Sequence, residues 1–297
     1  MMRTTESTIL MTAGELIHKI AADFSSADLF FGHGTDNAHD EAAALVFKIM
    51  NLDHQGEAEQ YLRKATDSEI KTIFRISTER IQTRQPLPYL LEEAWFAGMP
   101  FYVNTSVLIP RSPIAELITS SFSPWFHEKP IKSVLEIGTG SGCIAISCSL
   151  KLPNAEVVAT DISEKALKVA KRNIARYALE DRIRLIQADH MDGLDGRFDL
   201  IVTNPPYVPN HEIASLPSEY LHEPELALGS GFDGLDSARR IIKDAPKLLA
   251  PEGLLVIEVG EQWEVLQNAY PDLPFQWLDF DFGGIGVGAI EASALKI

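Results

Sequence analysis

The sequence predicts an α/β protein: a doubly wound, mainly parallel β-sheet with an antiparallel edge, preceded by a small helical N-terminal domain. Three observations predict it. Beyond residue 130, short apolar strands alternate with helical segments, the rhythm of βαβ units. Before residue 94, apolar residues recur at helical spacing. In the tail, two β-rich runs are joined by glycines, which suits an antiparallel edge.

The helical region, residues 1–93, opens with Thr12-Ala13-Gly14-Glu15, a capping box. Leu16, Ile17, Ile20, Ala21 and Phe24 then share one helical face. Phe31-Gly32-His33-Gly34-Thr35-Asp36-Asn37 reads as a loop before a helix starting near Asp40, with Ala43, Val46, Phe47 and Met50. Thr66-Asp67-Ser68-Glu69 is a second capping box, continued by Ile70, Ile73, Phe74 and Ser77 and stopped by Pro86 and Pro88. Residues 94–110 form a linker in which Trp95, Phe96, Phe101, Tyr102, Val103 and Val107 surround Gly98 and predict a hairpin. Ser112-Pro113 supplies an N-cap and an N1 proline for the next helix. Residues 111–297 form the main domain. Strands are expected over 134–137, 157–160, 183–187, 200–203 and 254–259, and helices near 142–151, 163–178, 237–249 and 261–270. The tail strands are 275–281 and 286–291.

The 297 residues, 45% hydrophobic and 23% charged, can bury a real core. No apolar run approaches the ~20 residues of a membrane span. No secretory signal is evident at the N-terminus, and a cytoplasmic protein is the expectation. Cys143 and Cys148 make neither a disulfide framework nor a four-ligand metal site, and read as small buried residues. A net charge of −16 repels nucleic acid and attracts a strongly basic partner, such as a ribosomal protein. On charge alone, solubility is the plainer explanation.

Two motifs carry chemistry. Gly138, Gly140 and Gly142 follow a strand and open a helix, where glycine lets backbone approach a ligand. The spacing is neither that of a dinucleotide fold nor that of a lysine-bearing phosphate loop. Glycines alone are compatible with a plain strand-to-helix turn. The carboxylates ending the next two strands add the cofactor reading: Asp161 can accept from both ribose hydroxyls, and Asp189 from an adenine amino group, with His190 packing on the ring. For Asp189 a helix cap or solvated turn stays open, and His190 alone favours such a plain role. The second motif is Asn204-Pro205-Pro206-Tyr207, at the end of the fourth strand. The Asn204 side-chain oxygen and the Pro205 carbonyl can both accept from one NH2 group, and Tyr207 can stack on its plane. Together the motifs imply a nucleoside pocket beside a clamp for a planar amide or amine, suited to methyl transfer from S-adenosylmethionine onto nitrogen.

These residues resemble the class I S-adenosylmethionine-dependent methyltransferases, and the sequence is most similar to the protein-(glutamine-N5) methyltransferase family. The helical N-terminus, the hairpin linker, Glu223-Pro224-Glu225-Leu226-Ala227-Leu228 and Asp233-Gly234-Leu235 carry that likeness over nearly the whole chain. Phe31 to Asn37 and Ile109-Pro110-Arg111-Ser112-Pro113-Ile114 resemble the branch that modifies a glutamine of the third protein of the large ribosomal subunit, L-three. The release-factor branch usually carries an acidic, threonine-bearing stretch after the Pro-Arg pair and a basic residue where this chain reads Gly284-Ile285-Gly286-Val287. The resemblance implies a seven-stranded sheet and S-adenosyl-L-methionine as cofactor, with no metal. It assigns Glu136, Gly138, Thr139, Gly140, Ser141, Gly142, Asp161, Ile162, Asp189, His190 and Asn204 to cofactor binding, and Asn204, Pro205, Pro206 and Tyr207 to catalysis. The N-terminal helical domain is expected to select the basic L-three substrate. Release-factor methylation, adenine-N6 methylation of nucleic acid and a non-enzymatic assembly role are the alternatives, and the roles of Arg111 and Glu223 stay open.

Overall fold

In the computed structural model, residues 11–53, 56–126 and 129–295 are described. The first ten residues of the expected helical domain, on which the expectation of no secretory signal partly rests, lie outside them. The chain divides into two compact units: one holds the described residues up to Glu92 together with Pro217–His222, the other holds the rest.

In the first unit, α1 (Ala13–Ser26) starts at the Thr12 capping box: the Thr12 hydroxyl accepts the Glu15 N–H at 3.3 Å, and the Glu15 carboxylate accepts the Thr12 N–H at 2.8 Å. Asn37 caps α2 (Ala38–Met50). Thr66 and Glu69 form the second capping box, on α3 (Asp67–Thr83). α3 ends at Arg84, whose left-handed backbone turns the chain before Pro86. Pro88 departs from expectation: it lies in the first turn of a new short helix, α4 (Leu87–Leu91), where proline's missing N–H costs nothing. Leu16, Ile20, Phe24, Leu45, Met50 and Ile73 pack into one core. Beside that core, the buried Arg80 donates to Glu41 at 2.7 Å, to Glu219 at 3.2 Å and to the Phe30 carbonyl at 2.9 Å.

The second unit opens with β1 (Ala94–Phe96) and β2 (Met99–Phe101), an antiparallel hairpin. Ala97 and Gly98 make the two-residue turn with φ of 48° and 75°, the conformation that matches strand twist. α5 (Ile114–Thr119) follows, with Pro113 at the N-cap rather than N1. The Ser112 hydroxyl still accepts the Ile114 N–H, at 3.2 Å. Then come β3 (Ser133–Ile137), α6 (Cys143–Lys151), β4 (Glu156–Asp161), α7 (Glu164–Arg176), β5 (Ile183–Gln187), β6 (Phe198–Thr203), α8 (Asp236–Leu248), β7 (Leu249–Glu258), α9 (Trp263–Ala269), β8 (Gln276–Trp277) and β9 (Val287–Glu291).

Among the described residues these strands form a seven-stranded sheet, in the order β5-β4-β3-β6-β7-β9-β8. It is parallel from β5 to β7, and β9 runs antiparallel to both β7 and β8. The tail strand expected over 275–281 shrinks to two residues. The Leu278 N–H still donates to the Val287 carbonyl at 3.0 Å, and further on the Asp281 and Phe282 N–H groups donate instead to the Glu116 carboxylate, each at 3.0 Å. Strand residues alternate between two cores. Val134, Leu200, Val202, Leu254 and Val256 face α5, α6 and the end of α7; Leu135, Ile201, Leu255 and Ile257 face α8 and α9. The chain winds outward from β3 to β5, then returns to place β6 on the other side of β3. Open α/β sheets bind ligands outside the carboxyl ends of strands at such a reversal.

Candidate active site

The carboxyl ends of β3 and β6 open onto one cavity of about 230 Å³. Glu136, Gly138, Thr139, Gly140, Ser141, Asp161, Ile162, Asp189, His190, Asn204, Pro205 and Pro206 line it. Gly142 and Tyr207 do not line it.

The three glycines have φ of 72°, 54° and 82°, in the left-handed region. They differ in what surrounds them. A Cβ on Gly138 or Gly140 would meet no atom within 4 Å, so both leave backbone open toward the cavity. A Cβ on Gly142 would lie 3.3 Å from Ala170, so this glycine serves the close approach of α6 to α7. Below the loop, Glu136 is buried and accepts from the Thr139 hydroxyl at 2.5 Å and the Ala145 N–H at 3.0 Å. Burial pushes its carboxyl up to about 8, against those two hydrogen bonds. Glu136 therefore acts on the shape of the loop as a neutral acid at pH 7.

Asp161 ends β4 and joins the loop: its carboxylate accepts the Gly140 N–H at 2.9 Å and the Ser163 N–H at 2.8 Å. Burial raises its carboxyl above the ordinary value, opposed by these N–H donors. Asp189 meets Nδ1 of His190 at 2.6 Å and accepts from Arg240 at 2.6 Å. Partial burial works against its ionisation but is outweighed by the His190 and Arg240 hydrogen bonds, which hold it below the usual carboxylate range. Its oxygens are thus already engaged by side chains, which the sequence did not foretell.

The Asn204-Pro205-Pro206-Tyr207 turn leaves β6 with Asn204 half-buried. The Val208 N–H donates to the Leu228 carbonyl at 2.8 Å, and the Ser230 N–H to the Val208 carbonyl at 2.9 Å, which pins the turn to residues 228–230. Tyr207 packs away from the cavity wall. A Cβ on Gly260 would fall 2.7 Å from its ring, and one on Gly234 would fall 2.2 Å from its carbonyl oxygen.

Sequence reasoning missed several wall residues: Ser106, Val107, Leu108, Pro110, Pro224, Leu226, Ala227 and Ser237. It also left Arg111 undecided. Arg111 lines the cavity and makes a two-pronged pair with the buried Glu223 carboxylate, 2.7 Å to each oxygen, while the Ile109 N–H donates to Glu223 at 2.9 Å. Asn173, fully buried, was invisible too: it bonds the Tyr102 N–H and carbonyl and the Ser141 carbonyl at 2.8–2.9 Å. No local pattern announces the pairings of Arg111 and Asn173, because their partners are distant in sequence. Cys143 touches the cavity, but burial pushes its thiol up to about 12, so it is no nucleophile. Among the described residues no group of three or more His, Cys, Asp or Glu could hold a metal ion.

Sheet order, glycine loop and the cavity at the reversal point together define a class I methyltransferase domain, and the family model described as Methyltransferase small domain matches residues 119–231. The catalytic domain of hMettl16, crystallised with MAT2A 3′UTR hairpin 6, shares this fold, with a TM-score of 0.50 and 18% identity over 77% of this chain and 84% of that one. The ribosomal protein uL3 glutamine methyltransferase of Neisseria meningitidis serogroup B is 45% identical over 275 residues, 92% of this chain and 91% of that protein. That of Francisella tularensis is 44% identical over 280 residues, 94% of this chain and 89% of that protein. The chain belongs to the family of ribosomal protein uL3 glutamine methyltransferases.

Proposed function

We propose that this protein transfers a methyl group from S-adenosylmethionine to the side-chain amide nitrogen (N5) of a glutamine in ribosomal protein uL3. The observation that carries the chemistry is that the glycine loop and the Asn204-Pro205-Pro206 turn front one cavity. The names of the relatives support the substrate.

The cofactor fits the residues present. Gly138 and Gly140 offer open backbone, and Asp161 and Asp189 place carboxylates at the ends of neighbouring strands. When bound, S-adenosylmethionine supplies an electrophilic methyl group on sulfur. Asp161 would accept from the ribose hydroxyls, and Asp189 with His190 would meet the adenine. Ile162, exposed beside them, would cover the base. The Asn204 side-chain oxygen and the Pro205 carbonyl would each accept one N–H of the glutamine amide. Proline suits that position because it has no N–H to compete and a fixed φ. Holding both N–H groups fixes the amide plane and aims nitrogen at the methyl, so catalysis here is mostly alignment and electrostatics. The methylated amide nitrogen is strongly acidic and loses its extra proton to water, so no dedicated base is needed.

In our reading the helical unit selects the protein substrate. The charge of −16 favours a basic protein over nucleic acid, in the cytoplasm. Intact-protein mass spectrometry after incubation with S-adenosylmethionine and unmethylated uL3, or separately a release factor, tests the reading. One methyl on uL3 alone, mapped to a glutamine and lost with Asn204→Ala at an unchanged melting temperature, is the expected result. Methyl on the release factor alone overturns the substrate, and methyl on neither overturns the function.

A further inference from the structure

A second buried carboxylate, Glu258, stands at the carboxyl end of β7 and is 5% exposed. One of its oxygens, Oε2, accepts from the Ser112 hydroxyl; the other, Oε1, lies 3.5 Å from the Tyr207 hydroxyl, at the long limit of a hydrogen bond. Ser112 follows Arg111, and both line the cavity. Tyr207 closes the Asn-Pro-Pro-Tyr turn, whose first three residues line it as well. One carboxylate thus meets a wall residue, Ser112, and, behind the wall, the tyrosine that closes the turn whose other three residues line the cavity. Tyr207 has little freedom to turn elsewhere, since Gly260 packs directly on its ring.

We propose that Glu258 is a positioning residue for the methyl-acceptor clamp: it fastens Tyr207 and Ser112 together and so sets where Asn204 and Pro205 present their oxygens. The inference rests on reading that turn as the amide site. Tyr207 then serves as the peg of the clamp, through its hydroxyl, rather than as a stacking surface. Among the described residues, the charged and titratable groups acting on Glu258 are Arg111, itself paired with Glu223, and the Tyr207 phenol. Burial pushes the Glu258 carboxyl up to about 7, opposed by the Ser112 hydroxyl, Arg111 and the Tyr207 hydroxyl. Ionised, Glu258 accepts from both hydroxyls. Protonated, it must donate one of its own bonds and cannot serve both in the same way.

The test combines kinetics with a signal that needs no turnover. Glu258→Gln and Tyr207→Phe preserve volume and ring packing. Each is expected to lower kcat by about tenfold, the low end for one hydrogen bond to a charged group, with little change in cofactor affinity. The double variant should lose no more than Glu258→Gln alone, because Tyr207→Phe removes a linkage that Glu258→Gln has already altered. The wild-type rate should rise with pH through about 7, a limb that Glu258→Gln lacks. In the free protein, the NMR signal of the labelled Tyr207 ring should titrate over the same range, and stay flat in Glu258→Gln. Losses that multiply, a pH limb that survives Glu258→Gln, or a flat Tyr207 signal in the wild type each overturn the proposal. Absence of glutamine methylation by the wild type would instead refute the proposed function, while the Tyr207 titration still decides whether Glu258 is coupled to the turn.

Discussion

At the scale of single residues, the site is shaped by carboxyl groups in different states. Asp189 is held ionised by His190 and Arg240, whereas burial keeps Glu136 neutral to about pH 8. A neutral acid beneath the loop adds no charge close to Asp161, whose own carboxyl already sits above its ordinary value. This has a consequence for stability. Glu136 has an ordinary pKa of 4.5, so between about pH 4.5 and about 8 the folded chain keeps a proton there that the unfolded chain has lost. The contribution of Glu136 to stability therefore falls as pH rises across that window. Glu136→Gln cannot ionise but keeps an acceptor for Thr139 and Ala145. Its melting temperature relative to wild type should climb steadily from pH 5 to pH 8, as read by calorimetry. A difference that stays constant with pH would mean that Glu136 is ionised in the folded protein.

At the scale of elements, the strand-to-helix turn from β3 to α6 does two separate jobs with one glycine pattern. Gly140 and Gly142 share a left-handed backbone, which costs an alanine about 1–2 kcal/mol at either place. Only at Gly142 does an added Cβ also press on Ala170 of the neighbouring helix. Gly142→Ala should accordingly lose clearly more stability in denaturant melts than Gly140→Ala. Gly140→Ala, whose methyl would project into open space on the cavity side, should lose more cofactor affinity by calorimetry. The reverse ranking would contradict this division. The glycine spacing was legible in the sequence; the division was not, because Gly142 meets a residue of α7 that only helix packing brings near.

At the scale of the whole molecule, the chain uses a distant segment to complete the helical unit. Pro217–His222 leaves the sheet-bearing part of the sequence and belongs with the helical unit. There Glu219 accepts from Arg80 at 3.2 Å and from the Phe30 N–H at 3.1 Å, and Glu41 shares the same guanidinium. Burial raises the Glu41 carboxyl above its ordinary value, against the pull of Arg80. Removing Arg80 would take the guanidinium from Glu41, Glu219 and the Phe30 carbonyl at once, leaving Glu219 with the Phe30 N–H and the Ser218 hydroxyl. Arg80→Ala is expected to destabilise the protein by about 3–5 kcal/mol, read as a shift of the urea midpoint. Loss of stability no larger than that of an exposed arginine such as Arg75 would show that the cluster is not a structural tie.

Taken alone, the sequence determined the parallel strands, the two capping boxes, the Gly98 hairpin, the glycine loop and the Asn-Pro-Pro-Tyr turn. Each is written in a few adjacent residues, through periodicity, a cap or a required backbone angle. It overextended the strand at 275–281, at whose far end the Asp281 N–H goes to the carboxylate of Glu116, a residue far back in the chain. Only the tertiary structure decided that Arg111 pairs with Glu223, that Asn173 ties the loop to Tyr102, and that Tyr207 points to Glu258. Those partners stand 112, 71 and 51 positions apart, and the sheet order that returns β6 to the side of β3 sets the scaffold on which they meet. Local rules act over a turn or two of chain; a buried polar group instead takes whichever partner the fold delivers.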